Sequence, residues 1–486
     1  MKVINVNKAI GYASSGVEYA QKYREELLRD LSVEDVYIFV DYIATNLCEF
    51  TDLIGIPSYK VIWIYNFLAN RKTVQSSYSV EEFLESIGDA YEITARTMRY
   101  IDVILLNKAI KYKIWLVNSG KIDRIDTIVN NWLESVAHYD VNLNNVQYYQ
   151  DGKLIRRVFF DSNQAISFEQ FYENNEITQT HMADRILNGR TEFFRYFFEQ
   201  LAIKEEDVII IDRALDVADA IVPFFARKAR LLSIIHAEHY NESLSDENNI
   251  LWNNYYEYVF DNLRYFEAII PSTKRQKEVL DEQLNGQAKI VAIPVGYAQG
   301  IIETENYNPY GLITASRLAD EKHINVLIKA VAKAKETMPE LIFDIYGDGQ
   351  KEPLIQLINE LSANEYIRLQ GHHKMDGIYS RYGLYLTAST SEGFGLTLLE
   401  ATRECLPIIG LDVDYGNREF VRHEKNGLLV PHTTLDEDVD KLAQAIIEFY
   451  EKGMVKLARK EAKKIAEQYT RKTIQKKWRW LLEGRV

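Results

Sequence analysis

At 486 residues the chain is too long for one ordinary hydrophobic core, so two or three domains are expected, and 47% hydrophobic with 26% charged residues describe a globular protein, neither disordered nor fibrous. A formal net charge of −14 argues against a general nucleic-acid binder, and no apolar run reaches the length of a membrane span. Two cysteines, Cys48 and Cys405, make no disulfide framework; with no signal-like n-region and h-region at the start, a cytoplasmic protein is expected.

Met1 to Asn7 alternates enough for a strand, Gly11-Tyr-Ala-Ser-Ser-Gly16 is a glycine loop, and Val17 to Asp30 has helical periodicity. Strand, glycine loop and helix form the first unit of a doubly wound nucleotide-type fold. Val36 to Ile43 and Val61 to Phe67 read as further strands. From about Ser76 the pattern changes. Ile101 to Val117 and Val146 to Phe168 alternate Tyr, Ile, Val and Phe, with Asn118-Ser119-Gly120 and Asp151-Gly152 placed as hairpin turns. An antiparallel sheet inserted into the α/β domain is expected, serving either as elaboration or as an acceptor- or partner-docking surface.

Near Thr191 the α/β pattern returns, with strands expected at Val208 to Asp212, Leu231 to Ile235, Ala268 to Ile270 and Lys289 to Pro294. Tyr297 to Tyr310 is polar and aperiodic and reads as a linker. A second alternation places strands at Leu312 to Ala315, Leu341 to Tyr346, Ile367 to Gln370, Leu384 to Ala388 and Leu406 to Leu411. Thr470 to Leu482, with Trp478 and Trp480, reads as a basic aromatic helix. The expected organisation is α/β: one Rossmann-like domain from 1–75 and 191–300, an inserted β-sheet domain at 76–190, a second Rossmann-like domain at 301–469, and a closing helix at 470–486.

The chemistry concentrates at strand ends. Between Leu384 and Ala401 a buried strand passes Glu392, Gly393, Phe394 and Gly395 and becomes a helix near Thr397, with Glu400 eight residues after Glu392. The glycines permit close backbone approach, and a helix N-terminus favours phosphate. Thr397 and Glu400 also fit a capping box, so Glu400 is either a cap or a ligand residue. Arg317 and Lys322 follow a strand and could neutralise a diphosphate or form a surface ion pair with Asp320 or Glu321. His236-Ala-Glu-His239 follows another strand; its spacing is not that of a helical zinc motif. Asp412-Val-Asp414 spells a D-x-D pair but reads as loop carboxylates, and Tyr346-Gly-Asp-Gly349 reads as a turn, with Gly371, for close approach to a nucleotide.

Glu392 and Glu400 around Gly-Phe-Gly resemble the E-x7-E signature of retaining GT-B glycosyltransferases. Gly11 to Gln21, His236 to Tyr240 with Leu251 to Tyr256, and Leu312 to Arg317 with Ser391 to Glu400 resemble, more narrowly, the GtfA family. Its members are catalytic subunits that start O-glycosylation of serine-rich repeat adhesins. The resemblance implies two Rossmann-like domains facing a cleft, an inserted β-meander, and a last helix crossing back to the first domain. It implies transfer of N-acetylglucosamine, or glucose, from a UDP-sugar to Ser/Thr, without metal or other cofactor. It assigns catalysis to Glu392, His236, Arg317 and Lys322. Donor binding falls to Gly16, Arg317, Lys322, Gly347, Gly371, His372, Gly393, Phe394, Gly395, Leu396, Thr397 and Glu400. It further implies a GtfB-like stabilising subunit, a serine-rich acceptor, no nucleic acid, and peripheral membrane association as an addition to a cytoplasmic location. The rival readings are a teichoic-acid α-glycosyltransferase, which needs a basic acceptor groove, and a noncatalytic chaperone subunit, which would have lost charged site residues.

Overall fold

Three sheets organise the computed structural model, which describes residues 1–11, 16–129, 132–139, 142–246 and 249–485. Positions 12–15 of the opening glycine loop lie outside the described residues. The N-terminal sheet runs Ala268–Pro271, Arg230–Ile235, Val208–Ile211, Lys2–Asn7, Glu34–Phe39, Val61–Trp63. Numbered along the chain, that is the 3-2-1-4-5-6 order of a dinucleotide-type fold. The C-terminal sheet repeats it with Ile367–Gly371, Ile342–Tyr346, Asn308–Ala315, Tyr382–Thr387, Ile408–Leu411 and Gly427–Val430. Strands such as Val208–Ile211 are buried at every position, which is why they read as unbroken apolar runs.

Between the third and fourth strands of the first sheet comes an antiparallel meander of ten strands, from Tyr91–Arg96 to Ile186–Asn188, each paired with its sequence neighbour. Its hairpins follow from turn chemistry. Asp151 and Gly152, at φ 50° and 75°, join Leu143–Gln150 to Lys153–Phe160, and Gly120 at φ 79° serves the turn before Ile122–Val129.

By contacts the chain divides into two compact units, Met1–Ser233 with Asn254–Glu267, and Ile234–Asn253 with Ala268–Val486. In the second, an apolar cluster including Leu312, Leu327, Phe343, Leu384 and Ile446 fills one face of the C-terminal sheet, while Phe394, Leu398, Phe420 and Tyr469 pack on the other. Three expectations from sequence change. Val61 to Phe67 is a three-residue strand followed by the helical turn Ile64–Leu68. Lys289 to Pro294 holds a single bridge, Ile269 to Ile290, in an extended segment. The aperiodic stretch ends early, because strand Asn308–Ala315 already includes Tyr310. The last helix, Arg471–Leu482, is capped by Thr470 and buries Ile474, Trp478, Leu481 and Leu482, and Lys477 donates to the Ala292 carbonyl at 2.9 Å.

Candidate active site at the carboxyl ends of the C-terminal sheet

The strand order of the C-terminal sheet reverses between Asn308–Ala315 and Tyr382–Thr387, and an open α/β sheet opens its ligand crevice at that point. Ser316 and Arg317 leave the first strand there, and the turn containing Glu392 leaves the second. The structure joins them directly: Lys322 Nζ lies 2.7 Å from Glu392 Oε2, and both side chains keep about a fifth of their surface. His323, at φ 45°, places its imidazole 3.2 Å from Thr390 Oγ1 of the same turn.

Backbone contacts hold Glu392 still. Its carbonyl accepts the amides of Tyr415 at 3.0 Å and Gly416 at 2.7 Å, and a Cβ at Gly416 would meet Glu392 Cγ at 2.8 Å. Gly393 is required for a different reason than ligand approach: a Cβ there would stand 2.2 Å from the His236 carbonyl oxygen. The loop following strand Arg230–Ile235 therefore crosses the Glu392 turn within backbone contact. Glu238 in that loop bonds Ser391, with its carboxyl pushed upward by burial. His239 is fully buried, its Nε2 2.8 Å from Gln283 Oε1 and its Nδ1 3.3 Å from Tyr415 Oη. Burial pushes this imidazole down to about 4, so it is a neutral core histidine. His236 itself is half-buried beside Gly393.

Gly395, at φ 82°, is the N-cap of helix Leu396–Arg403, and no side chain caps it. The capping-box alternative for Glu400 is thereby removed, because Thr397 sits inside the helix. Its hydroxyl is 3.1 Å from Tyr385 Oη, and Tyr385 also donates to the Ala315 carbonyl at 3.1 Å. Glu400, in the second helical turn, instead accepts the Tyr379 hydroxyl at 3.0 Å. Burial pushes its carboxyl up to about 7, and the Tyr379 bond draws it partly back. The uncapped first amides of the helix suit an anion.

The remaining sequence candidates divide. Arg317 pairs with Glu321 at 2.9 Å, both side chains more than half exposed, which is the surface pairing considered from sequence. Gly347 and Gly349, at φ 144° and 137°, owe their identity to the Arg317 loop. Added Cβ atoms would meet the Ser316 carbonyl oxygen at 1.8 Å and the Leu318 carbonyl oxygen at 2.5 Å. The Gly347 amide also donates to the Gly371 carbonyl at 2.9 Å. Gly371, at φ 79°, faces open space and His372 beside it is exposed. The Phe394 ring is buried against Phe420, so only its backbone is available to a donor. Leu396 and Thr397 are half-buried in the first helical turn. Gly16 opens helix Gly16–Asp30 of the other unit, with open space beside it. Asp412 and Asp414 pair with Arg418 at 2.7 and 2.5 Å, the loop-carboxylate reading. Sequence reasoning missed Tyr379, Tyr385 and the Tyr415–Gly416 amides, which carry no motif of their own.

The Glycosyl transferases group 1 family model matches residues 302–472. The UDP-N-acetylglucosamine–peptide N-acetylglucosaminyltransferase GtfA subunit of Streptococcus parasanguinis is 36% identical over 501 residues, 99% of each chain. The solved pneumococcal O-GlcNAc transferase GtfA in complex with UDP and GlcNAc superposes with a TM-score of 0.93 at 36% identity, covering 100% of this chain and 99% of that one. A solved GtfA/B complex gives 0.88 at 33% identity, covering 100% and 99%. The poly(ribitol-phosphate) α-N-acetylglucosaminyltransferase of Staphylococcus aureus strain COL is more distant, 22% identical over 428 residues, 85% of this chain and 81% of its own.

Proposed function

Because the chain belongs to the GtfA family and is a UDP-sugar-dependent N-acetylglucosaminyltransferase of the GT-B fold, we propose that it transfers N-acetylglucosamine, with retention, to Ser/Thr hydroxyls of a serine-rich repeat adhesin. A GtfB-type subunit is its partner in this reading, which rests on the likeness to the GtfA/B complex. The observation that carries the active-site assignment is the meeting of Lys322 with Glu392 at the strand-order reversal, beside an uncapped helix N-terminus.

In the reaction the bond from the sugar's anomeric carbon to the UDP β-phosphate oxygen breaks. The acceptor oxygen bonds to that carbon from the same face, and its proton passes to the departing phosphate. Arg317, Lys322 and the amides at Leu396 and Thr397 hold the charge that develops on the diphosphate. The exposed Arg317–Glu321 pair is of the kind that contributes ~0–1 kcal/mol, so turning Arg317 to the diphosphate costs little. Lys322 already bridges towards the sugar through Glu392, whose role is to bond the sugar hydroxyls, while His236 faces the reacting carbon and Glu400 takes the ribose hydroxyls. No metal is needed where these cations serve.

The inserted domain favours a peptide over a teichoic-acid acceptor. Residues 76–190 carry twelve Lys and Arg against sixteen Asp and Glu, which is not a basic groove for a polyanion. A noncatalytic subunit is disfavoured because Arg317, Lys322, Glu392 and Glu400 are all present. Among the described residues no helix is long and apolar enough to cross a membrane. A cytoplasmic site of action, with peripheral membrane association, completes the proposal; Cys48 and Cys405 are buried and free. The test is a panel of UDP-sugars with a serine-rich peptide and with poly(ribitol phosphate). UDP-N-acetylglucosamine with the peptide should be the productive pair, and preference for the polymer would overturn the reading.

A further inference from the structure

Cross-strand register places Asp126, Ser135, Gln147, Arg157, Gln170 and Thr180 directly opposite one another on six neighbouring strands of the meander. Ser135, Gln147, Gln170 and Thr180 are buried. A buried row of polar side chains on a sheet face is costly unless its groups are bonded, and here they bond one another. Ser135 donates to Asp126 at 2.5 Å, Arg157 Nε to Gln147 at 3.1 Å, and Arg157 Nη1 to the Tyr172 hydroxyl at 2.8 Å. Tyr172 passes the chain on to Gln170 at 2.6 Å.

Arg157 is the exception to this closure. Among the described residues no carboxylate lies within 4 Å of it, and three of its five N–H donors have no partner. The ring of Tyr42 stacks on the guanidinium at 3.6 Å from its centroid, which leaves the plane of the group as the direction for further bonds. Tyr42 stands three residues past the carboxyl end of strand Glu34–Phe39, the edge of an α/β sheet where ligands bind. The Tyr42 hydroxyl is itself tied to Asn145 of the meander at 2.8 Å.

We propose that Arg157, seated on Tyr42 and bonded to Gln147 and Tyr172, is an acceptor-binding residue whose spare donors take main-chain carbonyl and side-chain hydroxyl oxygens of an extended serine-rich peptide. The inference rests on the peptide-acceptor reading above. Neutral oxygens are favoured over phosphate because the row continues from Asp126 to Lys113 and Asp102, two acids to one further base, and the inserted segment as a whole carries more acid than base.

The test uses the full-length chain with UDP-N-acetylglucosamine and a serine-rich peptide, comparing Arg157→Gln and Tyr172→Phe with wild type. Loss of one charged hydrogen-bonding group should raise the peptide KM roughly tenfold or more in Arg157→Gln. Tyr172→Phe, which keeps the ring and loses the bridging hydroxyl, should raise it by a few-fold. The donor KM in peptide-free hydrolysis should not change, while both variants should melt somewhat lower than wild type, because each takes a bond from a buried partner, Gln147 or Gln170. A purely structural Arg157 would lower the melting temperature and leave the peptide KM of the folded variants unchanged, and that unchanged KM overturns the proposal. Inhibition by inorganic phosphate that competes with peptide and disappears in Arg157→Gln would also overturn it, in favour of an anion site. If wild type hydrolyses the donor yet glycosylates only poly(ribitol phosphate), the peptide-acceptor reading itself falls.

Discussion

Glu400→Gln separates a ligand carboxylate from a structural one. Burial raises the Glu400 carboxyl from 4.5 to about 7 in the folded chain. The folded state thus holds this proton more tightly than the unfolded state does. Glu400 costs nothing at pH 4, an increasing amount as pH rises from 4.5 to 7, and a constant amount above. At ~1.4 kcal/mol per pH unit the cost reaches about 3 kcal/mol as an upper figure. Glutamine keeps an oxygen for the Tyr379 hydroxyl, so the variant should be more stable than wild type at pH 8 and equal to it at pH 4. Binding should move the other way. Ribose hydroxyls bond the carboxylate, so wild type at pH 6 must first release a proton, which weakens UDP binding about tenfold relative to pH 8. Glutamine should remove that pH component and lower UDP affinity at pH 8 by ~1–3 kcal/mol. Thermal melts and calorimetry in two buffers of different ionisation enthalpy read both effects; UDP's own titration is common to the two proteins. Equal UDP affinity at pH 8, with equal proton release at pH 6, would refute the ribose role.

Arg317→Ala and Lys322→Ala should each lower kcat by ~10² or more at saturating donor without unfolding, as loss of a preorganised charge-stabilising donor does; wild-type turnover would remove them from the leaving-group site. Transfer should persist unchanged in EDTA, and activity lost to chelation and restored by manganese would bring Asp412 and Asp414 back into consideration. Gly393→Ala must displace the His236 loop, since no Cβ fits 2.2 Å from a carbonyl oxygen. It should lower stability by about 1–3 kcal/mol and abolish transfer, and an active variant with an unchanged melting temperature would contradict the crossing.

Both Rossmann-like sheets were legible in sequence because fully buried parallel strands, such as Val208–Ile211 and Ile408–Leu411, leave uninterrupted apolar runs between helical periods. The meander was legible at Asp151-Gly152, where the turn demands left-handed backbone. Its full ten-strand extent was not, because edge strands such as Tyr91–Arg96 are exposed on both faces and lose their alternation. Motif spacing located Glu392, Lys322 and Arg317, yet it could not choose between cap and ligand for Glu400. That choice depends on Tyr379, twenty-one residues earlier and brought close only by the fold. The glycines carry a second constraint that spacing does not show. Gly393, Gly347 and Gly349 look like ligand cradles in sequence, whereas each is fixed first by a neighbouring backbone carbonyl.

The anomeric configuration of the product tests the central claim most directly. The enzyme, UDP-N-acetylglucosamine and a serine-rich peptide should give a peptide-linked N-acetylglucosamine whose anomeric proton shows the small coupling of an α-linkage, the configuration of the donor. A β-linked product, or transfer confined to water while the peptide stays unmodified, would contradict the account.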